Sequence, residues 1–135
     1  MRFHYSKITI IRSDKPKYTD INQKLQWFGS SLGLFNLRDK DKSCFRIFIV
    51  LVKSRKIGKP MSSDEIAFES NLSRGTVVHH LNKLMDSGIV ISKNNKYYLA
   101  VDNLAGLVDL VQDNLNKACA ALKDVAKDID EQLGL

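Results

Sequence analysis

Cysteine, proline and histidine are scarce in these 135 residues, at two, two and three copies. Cys44 and Cys119 lie far apart, with neither CxxC spacing nor a disulfide framework, which suits a reducing compartment. Each sits beside apolar residues, so both read as buried small hydrophobes. Long apolar runs are missing too: the longest, Ile47 to Val52, falls far short of the roughly 18 residues a membrane helix needs, and no membrane partner is expected. The leading MRFHYSKITIIRS is interrupted by polar residues and lacks a small-residue cleavage site, so no signal peptide is expected and a cytoplasmic location is. Catalytic signatures are also absent. There is no nucleophile elbow, P-loop, dinucleotide glycine pattern or HExxH, and the three histidines and few close carboxylates form no triad. Neither an enzyme nor a cofactor is expected.

With 44% hydrophobic and 27% charged residues, the chain has the composition of an ordinary globular protein, and its length fits one domain with an appendage. Acidic residues are sparse up to residue 101, where 18 Lys/Arg face 8 Asp/Glu for a net +10; residues 102 to 135 reverse this, 3 against 7, for −4. A basic body suggests a polyanionic partner, and the acidic tail is then not the face that meets it. A lysine-rich solvated surface would give the same balance.

Residues 3 to 12, FHYSKITIIR, carry β-branched and aromatic residues with imperfect alternation, so residues 1–18 read as an arm or strand ended by Lys15-Pro16-Lys17. Ile21, Leu25, Phe28, Leu32 and Phe35 then fall at helical spacing, with Thr19 or Asp20 placed to cap, and Trp27 on the shoulder reads as packing. A charged connector leads to a second helix, about Ser43 to Ser54, with a stripe of Phe45, Phe48, Ile49 and Val52 and either Asp39 or Asp41 as its cap. Lys59 to Met61 is a short strand candidate. Ser62 followed by Glu65 matches a capping box, and Ser73 caps a longer helix whose Val77, Leu81 and Leu84 repeat at i, i+4 and i+7. Asp86-Ser87-Gly88 closes that helix. Two β-rich runs, Ile89 to Ser92 and Tyr97 to Val101, flank a basic turn of Lys93, Asn94, Asn95 and Lys96.

After Asp102-Asn103, Leu104, Val108, Val111, Leu115, Ala118, Leu122, Val125 and Ile129 follow an unbroken a/d heptad spacing. A helix of that length cannot bury such a seam on a small body alone, so a second copy is the expected partner. Leu107 and Leu110, off the seam, are placed to pack on the body.

This order of elements is the winged helix-turn-helix arrangement. The run LSRGTVVHHLNKLMDSGIV resembles the recognition helix of ArsR/MarR-type bacterial and archaeal transcription regulators: a Ser cap, a Val, a His-Leu pair, a Leu and a closing Gly-hydrophobic. The resemblance covers Ser62 to Val101 strongly and the flanking helices only by architecture. It implies a mainly α fold with a small β-hairpin wing (α+β). Residues 1–18 are then an arm, 19–101 a winged-helix DNA-binding domain with its preceding helix, and 102–135 a coiled-coil dimerisation helix.

With Val77, Leu81 and Leu84 inward, the outward face of the recognition helix, about 74–87, carries Ser73, Arg74, Gly75, Thr76, His79 and Lys83. Such a helix fits the major groove and offers its first turn to base edges, where Arg suits guanine. Lys93, Asn94, Asn95 and Lys96 on the wing, residues 89–101, would reach flanking backbone or minor groove, and Lys40, Lys42 and Arg46 stand as additional phosphate contacts. The expected function is transcription regulation by a homodimer bound sequence-specifically to double-stranded DNA. A winged-helix module for protein or RNA contacts in the transcription machinery, or a ligand- or redox-responsive switch with a pocket between the first helices and the dimer helix, are the alternatives. Metal-sensing members of the resembling family place cysteines on the helix before the recognition helix, or Asp/His ligands on C-terminal helices. Here the first is Asp64-Glu65-Ile66-Ala67-Phe68-Glu69 and the tail has no histidine, so no metal site is expected.

Overall fold

Cys44, Ile47, Phe48 and Leu51 fall at i, i+3, i+4 and i+7, and this stripe becomes the centre of the core. The computed structural model describes residues 7, 9–17, 20–34 and 42–135, with five helices and one two-stranded sheet among them. They are α1 (Ile21–Ser31), α2 (Ser43–Ile57), α3 (Ser63–Ser70), α4 (Arg74–Asp86), β1 (Val90–Lys93), β2 (Lys96–Leu99) and α5 (Leu104–Leu133). The architecture is α+β, a winged helix-turn-helix with a long C-terminal helix. No helix among the described residues is long and apolar enough to cross a membrane.

Helix α2 lies against α3, α4 and β2. Ile47, Phe48 and Leu51 are fully buried with Ile66 of α3, Val77, Leu81 and Leu84 of α4, and Val90 and Leu99 of the hairpin. The expected stripe on α2 is rotated by about one residue: Phe45 and Phe48 are buried, but Ile49 and Val52 are only half-buried, while Cys44, Ile47 and Leu51 point in. A helix enclosed on several sides has no single apolar stripe, which is why spacing alone misplaced it. The capping position is Lys42, in the left-handed region and without a side-chain cap; Asp39 and Asp41 lie outside the described residues.

Caps set the other helices. Asp20 accepts from the Asn22 amide at 2.8 Å, and Thr19, the other candidate, lies outside the described residues, as does Phe35. The box at α3 forms reciprocally: Ser62 Oγ accepts from the Glu65 amide at 3.1 Å, and the Ser62 amide donates to Glu65 Oε1 at 3.3 Å. Those bonds, with Lys96 and Lys59 nearby, hold the Glu65 carboxyl below its ordinary 4.5. At the far end of α3, Arg46 of α2 donates to the carbonyls of Ser70 and Asn71, the latter at 3.1 Å, filling acceptors that a helix end leaves open.

The wing is pinned to the body through Met61, which exchanges backbone hydrogen bonds with Tyr97 at 3.2 and 2.7 Å. Its two-residue turn is Asn94-Asn95, both at positive φ (55° and 60°), so the strands reach one residue closer to the turn than expected, while starting after Ile89 and ending at Leu99, and Lys93 pairs directly with Lys96. Residues 9–17 form no strand. Instead they strap across α1: the Ile11 amide donates to the Ser31 carbonyl at 2.7 Å and Trp27 Nε1 to Ser13 Oγ at 3.0 Å. Gly33, at φ +69°, admits Thr9 where a Cβ would come within 2.7 Å. Residues 1–6, 8 and 18 of the expected arm lie outside the described residues.

Two outcomes follow from these caps. Arg46→Ala should cost about 1–2 kcal/mol in denaturant unfolding, because two carbonyls lose a charged donor, and Arg46→Lys should recover only part of it. A carboxyl lowered on folding stabilises above its unfolded value and loses that contribution as pH falls through the folded one. The wild type should therefore melt above Glu65→Gln at neutral pH, and the gap should close as the pH is taken down from 4.5. A gap unchanged down to strongly acid pH would show that the carboxylate does not serve the cap.

Candidate nucleic-acid interface

The outward face of α4 starts from its cap. Ser73 Oγ accepts from the Thr76 amide at 3.2 Å, and its hydroxyl donates to Thr76 Oγ1 at 2.8 Å, so these two side chains satisfy each other. Arg74 sits in the first turn, highly exposed, with its Nε 3.5 Å from Asp64 Oδ1 on α3. Gly75 faces open space, with nothing within 4 Å of the Cβ it lacks. His79 and Lys83 continue the face, both exposed, and Thr76 is half-buried. Of the six residues expected on this face, five are exposed and Thr76 is half-buried. His80 turns to the flank, half-buried, with its ring edge-on to His79 at 5.3 Å between centroids. Among the described residues no group of three or more His, Cys, Asp or Glu could hold a metal ion.

Two residues on or beside this face were not anticipated. Asn82 is exposed beside the direction of Gly75, about 20° from it on the side away from His79; at ~100° per residue it stands ~140° from Val77, so a full helical wheel shows it. Asp64 was invisible to that reasoning, because its proximity to Arg74 comes from the angle between two helices.

On the wing, Lys93, Asn94, Asn95 and Lys96 are all exposed at one tip. Of the remaining candidates, Lys42 is exposed, Lys40 lies outside the described residues, and Arg46 is occupied with the end of α3.

The seam of α5 divides. Leu107 and Val111 are buried against the chain's own body, with Leu104, Leu110 and Leu115 half-buried; Val108 is 43% exposed. Beyond Leu115 every residue is exposed, including Leu122, Val125 and Ile129, so the helix does not fold back on its domain. Cys119 corrects an expectation: Cys44 is buried, but Cys119 is exposed, because it lies past the point where α5 leaves the body. Asn103 caps the helix, its side chain accepting from the Gly106 amide at 2.6 Å, and Arg55 of α2 pairs with Asp102 beside that cap. A cleft of about 360 Å³ opens between α1, α2 and the end of α3, lined by Ile21, Leu25, Phe45, Ile49 and Val50 among others. No α5 residue lines it, whereas the ligand-switch alternative places its pocket between the first helices and α5.

Residues 55–92 match the family model of the bacterial regulatory protein, arsR family, a span running from the end of α2 through α3 and α4 into β1. No curated protein and no solved structure gives a match. Over that span the chain is similar to arsR-family regulators, and the similarity, carried on a winged helix-turn-helix, supports a DNA-binding transcription regulator.

Proposed function

We propose that the protein is a homodimeric transcription regulator that binds duplex DNA sequence-specifically, without catalysis, in the cytoplasm. Helix α4 enters the major groove by its first turn, and the wing lies on flanking backbone or minor groove. The observation that carries this reading is that the exposed face holds residues its own fold does not use. Gly75 has a helical backbone and free space around it, so alanine would fit and would be the better helix former. What glycine leaves is room for another molecule to approach the backbone. Lys93 and Lys96 are directly opposed across the hairpin, a like-charge pairing that weakens a sheet unless an anion sits between the two. Both local misfits lie where a DNA duplex would be met.

The dimer follows from α5. Leu122, Val125, Ile129 and Leu133, at 49 to 69% exposure, continue at spacings of three and four along a helix with no body beneath it. Burying such side chains contributes roughly 1.5–3 kcal/mol each, enough for a second copy to be held. Two readers related by a two-fold axis would engage pseudo-palindromic half-sites one or a few helical turns apart.

Gly75→Ala should move stability and binding in opposite directions: unfolding costs about 0.5 kcal/mol more, while duplex affinity falls, as read by fluorescence anisotropy. Arg74→Ala should cost ~1–3 kcal/mol on the selected site only, and Lys83→Ala should lower the salt slope by about one. Wild type showing no salt-sensitive duplex binding, or preferring single strands, would sink the DNA reading. Leu122→Asp and Ile129→Asp should sediment as monomers with the body's melting unchanged, since neither side chain is packed within one chain. Dimers that survive both changes would show that α5 serves another purpose.

A further inference from the structure

The structure assigns Asp64, at the start of α3, as the residue that sets the specificity of Arg74 by holding its guanidinium before DNA arrives. The inference rests on the DNA-binding reading above. Arg74 Nε stands 3.5 Å from Asp64 Oδ1, and both side chains are largely exposed, at 71% and 75%. An exposed pair of this kind adds little to folding. Its effect is on geometry: the carboxylate stands closest to Nε, the inner nitrogen of the guanidinium, so an ion pair made there leaves the two terminal nitrogens for guanine O6 and N7. The rotamer freedom of a long side chain is then lost on folding rather than on binding. Asp64 suits this role because a carboxylate is also favoured where it sits, in the first turn of α3.

The same carboxylate acts against the wrong complex. Near the DNA backbone it repels phosphates, and it draws Arg74 away from the phosphate contact that a free arginine would make on any sequence. Specific binding gains an ordered donor, and non-specific binding meets a negative charge. No other residue of the α4 face is held from α3 in this way among the described residues: Ser73 and Thr76 satisfy each other, and Gly75 has no side chain.

The experiment compares wild type, Asp64→Asn, Asp64→Glu, Arg74→Ala and the double variant Asp64→Asn/Arg74→Ala. Each is measured on the duplex selected from a random pool and on an unrelated duplex at one salt concentration, with thermal melting as the control. For Asp64→Asn the ratio of specific to non-specific affinity should fall about tenfold, with specific binding weakened and non-specific binding strengthened. Relaxed preference should be confined to the base pair at which Arg74→Ala also relaxes it. Asp64→Glu should recover part of the ratio, and in the Arg74→Ala background Asp64→Asn should leave the ratio unchanged. If Asp64→Asn strengthens binding to both duplexes by one factor, or changes the ratio equally without Arg74, Asp64 is only a charge beside the backbone and the assignment is overturned. A wild type that binds no duplex overturns instead the reading on which it rests.

Discussion

The stripe of Cys44, Ile47, Phe48 and Leu51 on α2 is the surface on which α3, α4 and β2 are all assembled, and the exposed residues of interest are positioned through it. Ile66, Val77, Leu81, Leu84 and Leu99 reach zero to two per cent exposure in the same cluster. Each such side chain contributes roughly 1.5–3 kcal/mol by leaving water, so the angle between α3 and α4 is fixed by a close-packed interior rather than by the turn that joins them. Arg46 then adds a polar clamp from α2 onto the end of α3, and Met61 ties the wing to the strand beside it. The outward side of α4 is what remains once those demands are met.

Much of this was legible in the sequence because caps are local. Ser62 with Glu65, Ser73 and Asn103 each satisfy amides three residues away, and residue type and spacing suffice to find them. The outward face of α4 was legible for the same reason, since Val77, Leu81 and Leu84 declare the inward one. What escaped depends on tertiary angles. Arg46 looked like a surface cation and is a clamp; Asp64 looked like a first-turn carboxylate and stands beside Arg74. The stripe of α2 turned because several elements surround it. Periodicity located the α5 seam but not where the body beneath it ends, and Cys119 was misjudged by that same boundary.

Helix-turn-helix proteins must solve two problems with one small surface: the domain has to be stable alone, and its outer face has to remain unsatisfied until a polyanion arrives. Here the two are separated by element. Stability resides in α2 and the inner sides of α3, α4 and the hairpin. The residues that the fold does not need gather at the first turn of α4 and at the hairpin tip, where a spare glycine and two opposed lysines stand at some local expense. Charge divides by element as well: residues 1–101 carry a net +10 and residues 102–135 a net −4.

Helix α5 belongs to two places at once. Its first three turns are fastened to the body, with Arg55 gripping Asp102 just ahead of the Asn103 cap, and its remaining turns stand clear with no glycine or proline before Gly134 to bend them. A continuous α-helix is stiff over this length, so the part that stands clear cannot swivel independently of the part that is fastened. In the proposed dimer, joined along the outer turns, the helix would therefore act as a ruler. The distance and phase between the two α4 helices of that dimer would be set by how many residues separate Val111 from Leu122. One residue added there would turn each reader by ~100° about the rod and advance it only ~1.5 Å. Orientation on a duplex would thus be far more sensitive to the length of α5 than reach is, and the count of residues in that helix would itself be part of what such a dimer recognises.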